Sequence, residues 1–309
     1  MSKILFTGDW HIKASNPRNR IGMYKQQQFD KIKWILDLAE KENCDCVIQP
    51  GDLFDNRKMP EEIKRNYIYL FKEYDIPILT IYGQHDMQYH KNKHNTAMAV
   101  LEAADAITVL GKYPTEVGGN IDVYGASWGE QIPDIVNEDN INILVIHTMV
   151  IEEKTLWPGQ KQFTKKNMLL KGNSDYDIFC CGDNHNTFYD DEHEQKLFNL
   201  GSLMRSTIAQ LAHEPTVVVY DLYENLIAYH KVPIEPSETV FDVDKIDKEI
   251  DRADFTEFFN LLSSEAKDTG VDFETNVKII GDKAEFTEKE TAIAGNYIAE
   301  YYQSKEEQA

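Results

Sequence analysis

The sequence predicts an α/β fold: a two-sheet sandwich flanked by helices, followed by a small C-terminal α+β cap. Three observations carry this expectation. Short apolar runs alternate with longer amphipathic stretches, the pattern of strands and covering helices. Strands crowd the second half, more densely than a single open sheet needs. Pro233 and Pro236 then punctuate the chain, and its composition turns acidic.

The elements follow in order. Lys3–Thr7 reads as a strand. Gln27–Lys41 carries Phe29, Ile32, Ile35, Leu36 and Ala39 at helical spacing. Cys44–Gln49 is a second strand, closed by Pro50-Gly51. Pro60–Lys72 is a helix with Pro60 and two acids at its start. Ile76–Tyr82 is a strand, Thr96–Ala104 a helix, and Ile107–Leu110 and Ile121–Tyr124 are strands. Ile141–Ile146, Asp177–Cys181, Lys196–Leu200, Thr216–Leu222 and Ile227–Val232 complete the strands of a domain spanning residues 1–234. Residues 235–309 form the expected cap, with helices over Val243–Leu262 and Glu288–Tyr302 and a strand at Val277–Gly281.

The 309 residues are 42% hydrophobic, which excludes a disordered chain and allows a sizeable core. No run approaches the roughly 20 apolar residues that span a bilayer. The start, MSKILFTGDWHIK, lacks a leader's apolar stretch, so a cytoplasmic protein without membrane attachment is expected. Cys44, Cys46, Cys180 and Cys181 lack paired C-x-x-C spacing and read as buried, reduced thiols. The net charge of −21 speaks against a broad electrostatic footprint for nucleic acid. Residues 235–309 hold 20 acids against 8 bases and are the most acidic part.

The polar residues fall at particular places. Five apolar strands end in Gly8-Asp9-Trp10-His11, Gly51-Asp52-Leu53-Phe54-Asp55, Gly83-Gln84-His85-Asp86, His147 and Gly182-Asp183-Asn184-His185. Ligands of α/β sheets collect outside the carboxyl ends of strands. Glycine there is expected to turn the backbone and aim the next side chain into a site. Carboxylate with imidazole suits Mn, Fe, Zn or Mg. Seven candidate ligands exceed the need of one ion, and two ions roughly 3.5–4 Å apart would clamp a phosphate ester and activate water. Taken singly, Asp9 and Asp52 read as turn residues and His147 as a satisfied core histidine; their register after five strands argues otherwise.

This series resembles the calcineurin-like metallophosphoesterases over roughly the first 205 residues, in motif order and spacing. It is most similar to their SbcD-type nuclease subunits, a group that includes phage recombination nucleases. GDLFD and the segment FNLGSLMRS carry that finer likeness. The resemblance implies the metallophosphoesterase form of the two-sheet sandwich and two divalent ions, Mn2+ before Mg2+. Asp9, His11 and His185 would hold the first metal, and Asp52 would bridge. Gln84, His147 and Asp183 would hold the second. His85 would protonate the leaving alkoxide, oriented by Asp55, although Asp55 reads equally as a local cap. Two positions depart from the pattern: Gln84 replaces Asn, and Asp183 replaces the first His of G-H-x-H. Both fall on the second metal, which is expected to favour Mn or Mg over Zn.

The resemblance further implies a DNA exonuclease that works with an SbcC-like ATPase, and it allows a homodimer. Glu288–Tyr302 is the candidate docking helix, with self-packing as its alternative. A phosphatase or a small-molecule or cyclic-nucleotide phosphodiesterase fits the acidic charge better. A metal-binding scaffold without catalysis is a third reading, against which the proton donor His85 argues. Lys13, Arg18, Arg20, Lys25 and Lys91–Lys93 are a candidate basic rim for a phosphate backbone or ordinary surface, and His90 and His94 are read as surface. Arg205 is placed on a phosphate, on the site carboxylates or in a structural ion pair.

Overall fold

Two-residue alternation decides which face each strand residue meets. In β1 (Lys3–Phe6), Ile4 and Phe6 face one side and Leu5 the other. In β2 (Cys46–Gln49), Cys46 and Ile48 join Ile4 and Phe6, while Val47 joins Leu5. The structure, a computed structural model, describes residues 2–241 except 18–19, 88–91, 154–155, 157–159, 192 and 208–209. The expected elements Val243–Leu262, Val277–Gly281 and Glu288–Tyr302 lie outside the described residues, as do Arg18, His90 and Lys91.

The first sheet continues through β3 (Ile78–Thr80) and β4 (Thr108–Val109), both parallel to β1 and β2. On the other side of β1 lies β13 (Thr216–Asp221), antiparallel to it, and then β14 (Leu226–Lys231), antiparallel to β13. The second sheet is built likewise. Its parallel centre is β6 (Ile121–Ala126), β7 (Ile141–His147), β10 (Ile178–Gly182) and β12 (Lys196–Leu200). Antiparallel β5 (Thr115–Val117) and β11 (Thr187–Asp190) form its edges. A small ribbon pairs β8 (Val150–Ile151) with β9 (Thr164–Lys165).

The inner faces of the two six-stranded sheets share one core, in which Phe6 and Phe198 rings lie 5.2 Å apart. α1 (Tyr24–Lys41), α2 (Glu61–Lys72) and α3 (Ala97–Ala103) cover the outside of the first sheet. α4 (Lys166–Gly172) covers the outside of the second with Leu169 and Leu170. The expected two-sheet architecture is therefore observed. The ribbon, β5, β11, α4 and the single turn α5 (Ser237–Val240) were not expected, because they are too short for a periodic pattern to register. α1 begins at Tyr24, upstream of the expected Gln27, because Tyr24 and Gln28 belong to its buried face. All four cysteines are free and buried. Among the described residues no helix is long and apolar enough to cross a membrane.

The chain beyond the expected boundary at residue 235 still packs on this body. Val240 and Phe241 are buried, and the Ile21 amide donates to the Val240 carbonyl at 2.9 Å. Arg205 has a structural role there. Buried, it donates to the Leu211 carbonyl (3.2 Å), to Ser237 Oγ (2.8 Å) and to the Glu235 carbonyl. Arg20 leaves the expected basic rim as well: it is buried against the rings of Tyr24 and Phe241.

Replacing Phe198 by Ala empties a site between the sheets and should lower the unfolding free energy by about 3–5 kcal/mol. The exposed Tyr223→Ala should change it by less than about 0.5 kcal/mol. Urea denaturation of the two variants checks both values.

Candidate metal centre

β1, β2 and β3 lie side by side and parallel, as do β7 and β10 in the facing sheet. Their carboxyl ends therefore deliver all five motifs to one edge of the sandwich. The first two loops keep pairing past the strands: His11 and Ile12 amides donate to the Asp52 and Leu53 carbonyls, each at 2.9 Å. Asp9 also pairs with the segment containing Ser202, through the Gly201 carbonyl at 2.9 Å.

Three of these side chains sit on strained backbone. His11 (φ 44°), Asp52 (φ 48°) and Asp183 (φ 84°) occupy the left-handed region, which non-glycine residues seldom adopt. The surroundings hold them there. Buried Gln28 on α1 donates to the Trp10 and His11 carbonyls and accepts from the Lys13 amide, each at 2.9 Å. Asp86 accepts from the Leu53, Phe54 and Gly83 amides, so it ties two motif loops together rather than only its own. Gln28 escaped the sequence reading, although a Gln four residues before Ile32 on an apolar helix face was its signal.

The glycines act differently from the expectation. Only Gly51 (φ 99°) needs left-handed backbone among those preceding the motif acids. Gly83 is needed for clearance: a Cβ there would stand 2.0 Å from Asp52 Oδ1.

At the centre is Asp52, fully buried. Its Oδ1 accepts from the His85 amide at 2.9 Å. Its Oδ2 faces His147 Nε2 (3.3 Å), His11 Nε2 (3.6 Å) and His85 Nε2 (4.0 Å). Across the edge, His11 Nε2 and His185 Nε2 are 3.0 Å apart, and His185 Nε2 lies 3.9 Å from Asp9 Oδ2. Asp9 Oδ2 in turn accepts from the Asp183 amide at 2.9 Å. His147 Nδ1 donates to the Pro50 carbonyl at 2.6 Å, which directs Nε2 to the centre.

Three clusters bring ligand atoms within 4.8 Å of one another: Asp9, His11 and His185; His11, Asp52 and His85; Asp9, Asp52 and His147. Asp183 stands outside these clusters among the described residues, and instead its Oδ1 accepts from Gln84 Nε2 at 2.7 Å. Asp55 also differs from expectation. It meets His85 through its backbone carbonyl, which accepts from Nδ1 at 3.1 Å. Its carboxylate pairs with Lys13 and lies 3.6 Å from His11 Nδ1. His11, Lys13, Asp55, His85 and His185 line a pocket at this edge.

The electrostatics follow from burial. Burial raises the Asp9 carboxyl to about 7, against the pull of His147 and His11. Burial would raise Asp52 as well, but His147, His85 and His11 outweigh it and hold Asp52 well below the usual carboxylate range. Burial would lower His147, yet Asp52 and Asp9 raise it to about 10. Buried Asp9 Oδ1, Asp52 Oδ2, Gln84 Oε1 and His147 Nε2 have no hydrogen-bond partner. Unpaired buried polar atoms are costly, and the carboxylate oxygens and imidazole nitrogens that converge in these clusters fit divalent cations. The residues present therefore fit a dinuclear metal site.

The sequence profile of the calcineurin-like phosphoesterases matches residues 2–186. The chain belongs to this family. This phosphoesterase is 31% identical over 149 residues to the "DNA double-strand break repair protein Mre11" of Sulfurisphaera tokodaii, covering 44% of this chain and 35% of that protein. It is 32% identical over 126 residues to "Exonuclease subunit 1" of Enterobacteria phage T4, covering 40% of this chain and 32% of that protein. The chain thus spans about a third of the length of these curated relatives. Among solved structures, TT1561 of Thermus thermophilus is similar with a TM-score of 0.48 and 14% identity, covering 75% of this chain and 99% of that one.

Two outcomes follow. Asp52 and Asp9 raise the His147 imidazole and burial raises the Asp9 carboxyl, so before metal binds both hold their protons more firmly than free side chains do. Coordination must expel these protons, so Mn2+ affinity should rise with pH from 6 towards 9. Calorimetry at pH 7 in buffers of different ionisation enthalpy should report proton release; buffer-independent heats would contradict it. Separately, Gly83→Ala should displace Asp52 and weaken Mn2+ binding roughly 10–100-fold, while Gly172→Ala, at the end of α4 with open space around its Cβ position, serves as a folded control.

Proposed function

We propose that this phosphoesterase is a metal-dependent DNA nuclease that hydrolyses phosphodiesters at a dinuclear centre. The observation that carries the reading is the convergence of buried Asp9, Asp52 and His147 with His11 and His185 in overlapping clusters of ligand atoms, with His85 at the pocket. The nuclease part is supported by similarity to proteins named for double-strand break repair and exonuclease action. Asp9, His11 and His185 would hold one ion, Asp52 would be shared, and His147 with Gln84 Oε1 would hold the other. One imidazole among oxygens suits Mn2+ or Mg2+ above Zn2+. Bound divalent ions polarise a phosphodiester and lower the pKa of water.

The remaining work falls to side chains of this chain. His85 is fixed at its amide by Asp52 Oδ1 and at Nδ1 by the Asp55 carbonyl, so it presents Nε2 to the pocket. There it delivers a proton to the departing alkoxide oxygen. Lys13, steered by the Asp55 carboxylate, offers a cation to the substrate phosphate. Residues 235–309 would form a cap that docks an SbcC-like ATPase, and a second copy of the chain could pair with the first in the same assembly. Such a partner would supply DNA contacts that a chain of net charge −21 lacks.

That same charge favours a second reading, a phosphatase or small-molecule phosphodiesterase. Mn2+-supplemented assays on duplex DNA with defined ends and on a nucleotide diester separate the two, and DNA cleavage should dominate. His85→Ala should reduce kcat by about 10²–10⁴-fold with Mn2+ stoichiometry retained. Unchanged turnover would remove His85 from the proposed role, and cleavage of the diester alone would replace the nuclease reading with the second.

A further inference from the structure

The two residues that depart from the family pattern touch each other. Gln84 Nε2 donates to Asp183 Oδ1 at 2.7 Å, and both residues are buried. A carboxylate can only accept, so it can bind only the NH2 end of an amide. The opposite amide orientation would set Gln84 Oε1 against a carboxylate oxygen. Asp183 therefore selects one of the two amide orientations. In that orientation Oε1 is buried without a hydrogen-bond partner, as Asp52 Oδ2 and His147 Nε2 also are.

Asp183 is itself anchored. Its amide donates to Asp9 Oδ2 at 2.9 Å, and its backbone is held at φ 84°. A Cβ on the preceding Gly182 would stand 2.6 Å from Asp9 Oδ1, from His147 Nδ1 and from the Pro50 carbonyl oxygen, so the turn packs directly against the site. The clusters of ligand atoms among the described residues do not include Asp183. The longer amide at 84 and the short acceptor at 183 thus complement each other as one unit.

We infer that Asp183 is a positioning residue, which holds the Gln84 amide so that Oε1 is offered to the second metal and which thereby makes that site oxygen-rich with a single imidazole. The inference rests on the dinuclear reading above and assigns Asp183 a role other than ligand.

The test is Mn2+ titration of the full chain, with stoichiometry by calorimetry and exchange coupling between ions by electron paramagnetic resonance. The wild type should bind two ions, the second more weakly. Asp183→Ala should weaken the second ion roughly 10–100-fold and leave the first unchanged. Asp183→Asn keeps an acceptor for Gln84 Nε2 without the charge, and should restore the second ion. Gln84→Ala should weaken the second ion by the same factor as Asp183→Ala, and adding Asp183→Ala to it should change nothing further. The inference is overturned if Asp183→Asn weakens the second ion as much as Asp183→Ala, or if the two alanine effects add. Should Asp183→Ala not fold, Asp183→Asn alone and in the Gln84→Ala background decides by the same criteria. A wild type that binds no second ion would instead overturn the dinuclear reading.

Discussion

A carboxylate without solvent exposure sits where the parallel strands of two sheets end, and the site is arranged around it. Asp52 takes the His85 amide on one oxygen and faces three imidazoles with the other. A lone buried charge is strongly unfavourable, so these neighbours are a condition of the fold and not an addition to it. Their charges reciprocate, since Asp52 is held ionised while His147 is pushed towards its protonated form. In the proposed reading divalent ions take over this compensation, which links metal binding to proton release and to stability.

The same requirement explains why the loops are so heavily tied. Left-handed backbone at His11, Asp52 and Asp183 aims three motif side chains inward at an energetic cost of order 1–3 kcal/mol each. Gln28 from α1 and Asp86 from the third loop hold the strained turns through main-chain hydrogen bonds. Neither is a candidate ligand. Both come from regions whose packing is set by the hydrophobic core, so the sandwich transmits its rigidity directly to the site.

The acidic character of the chain and the polyanionic substrate of the proposed function pull in opposite directions. Of the basic residues near the motifs, Arg20 is buried on aromatic rings and Lys93 is paired with Glu130 at 2.6 Å. Lys13 remains at the pocket, steered by Asp55. A division of labour between a chain that supplies hydrolysis and a partner that supplies backbone contacts is consistent with this distribution.

Much of the site could be read from the sequence, because strand ends and their polar residues are local features. Short continuous apolar runs identified β1, β2, β7 and β10, and each motif was placed after its strand. The two-sheet class followed from the number of strands. Other properties depend on contacts between segments far apart in the chain, and only the folded structure decided them. The Gln84–Asp183 hydrogen bond joins residues 99 positions apart, and no periodicity announces it. Asp55 meets His85 with its carbonyl rather than its carboxylate because the turn, not the residue type, decides which atom points there. Gly83 is required by the proximity of Asp52, not by its own dihedral angles. Residue types and spacing thus specified which chemistry assembles at the strand ends. Which atom of each residue serves it was settled by packing, since packing alone determines what each lone pair faces.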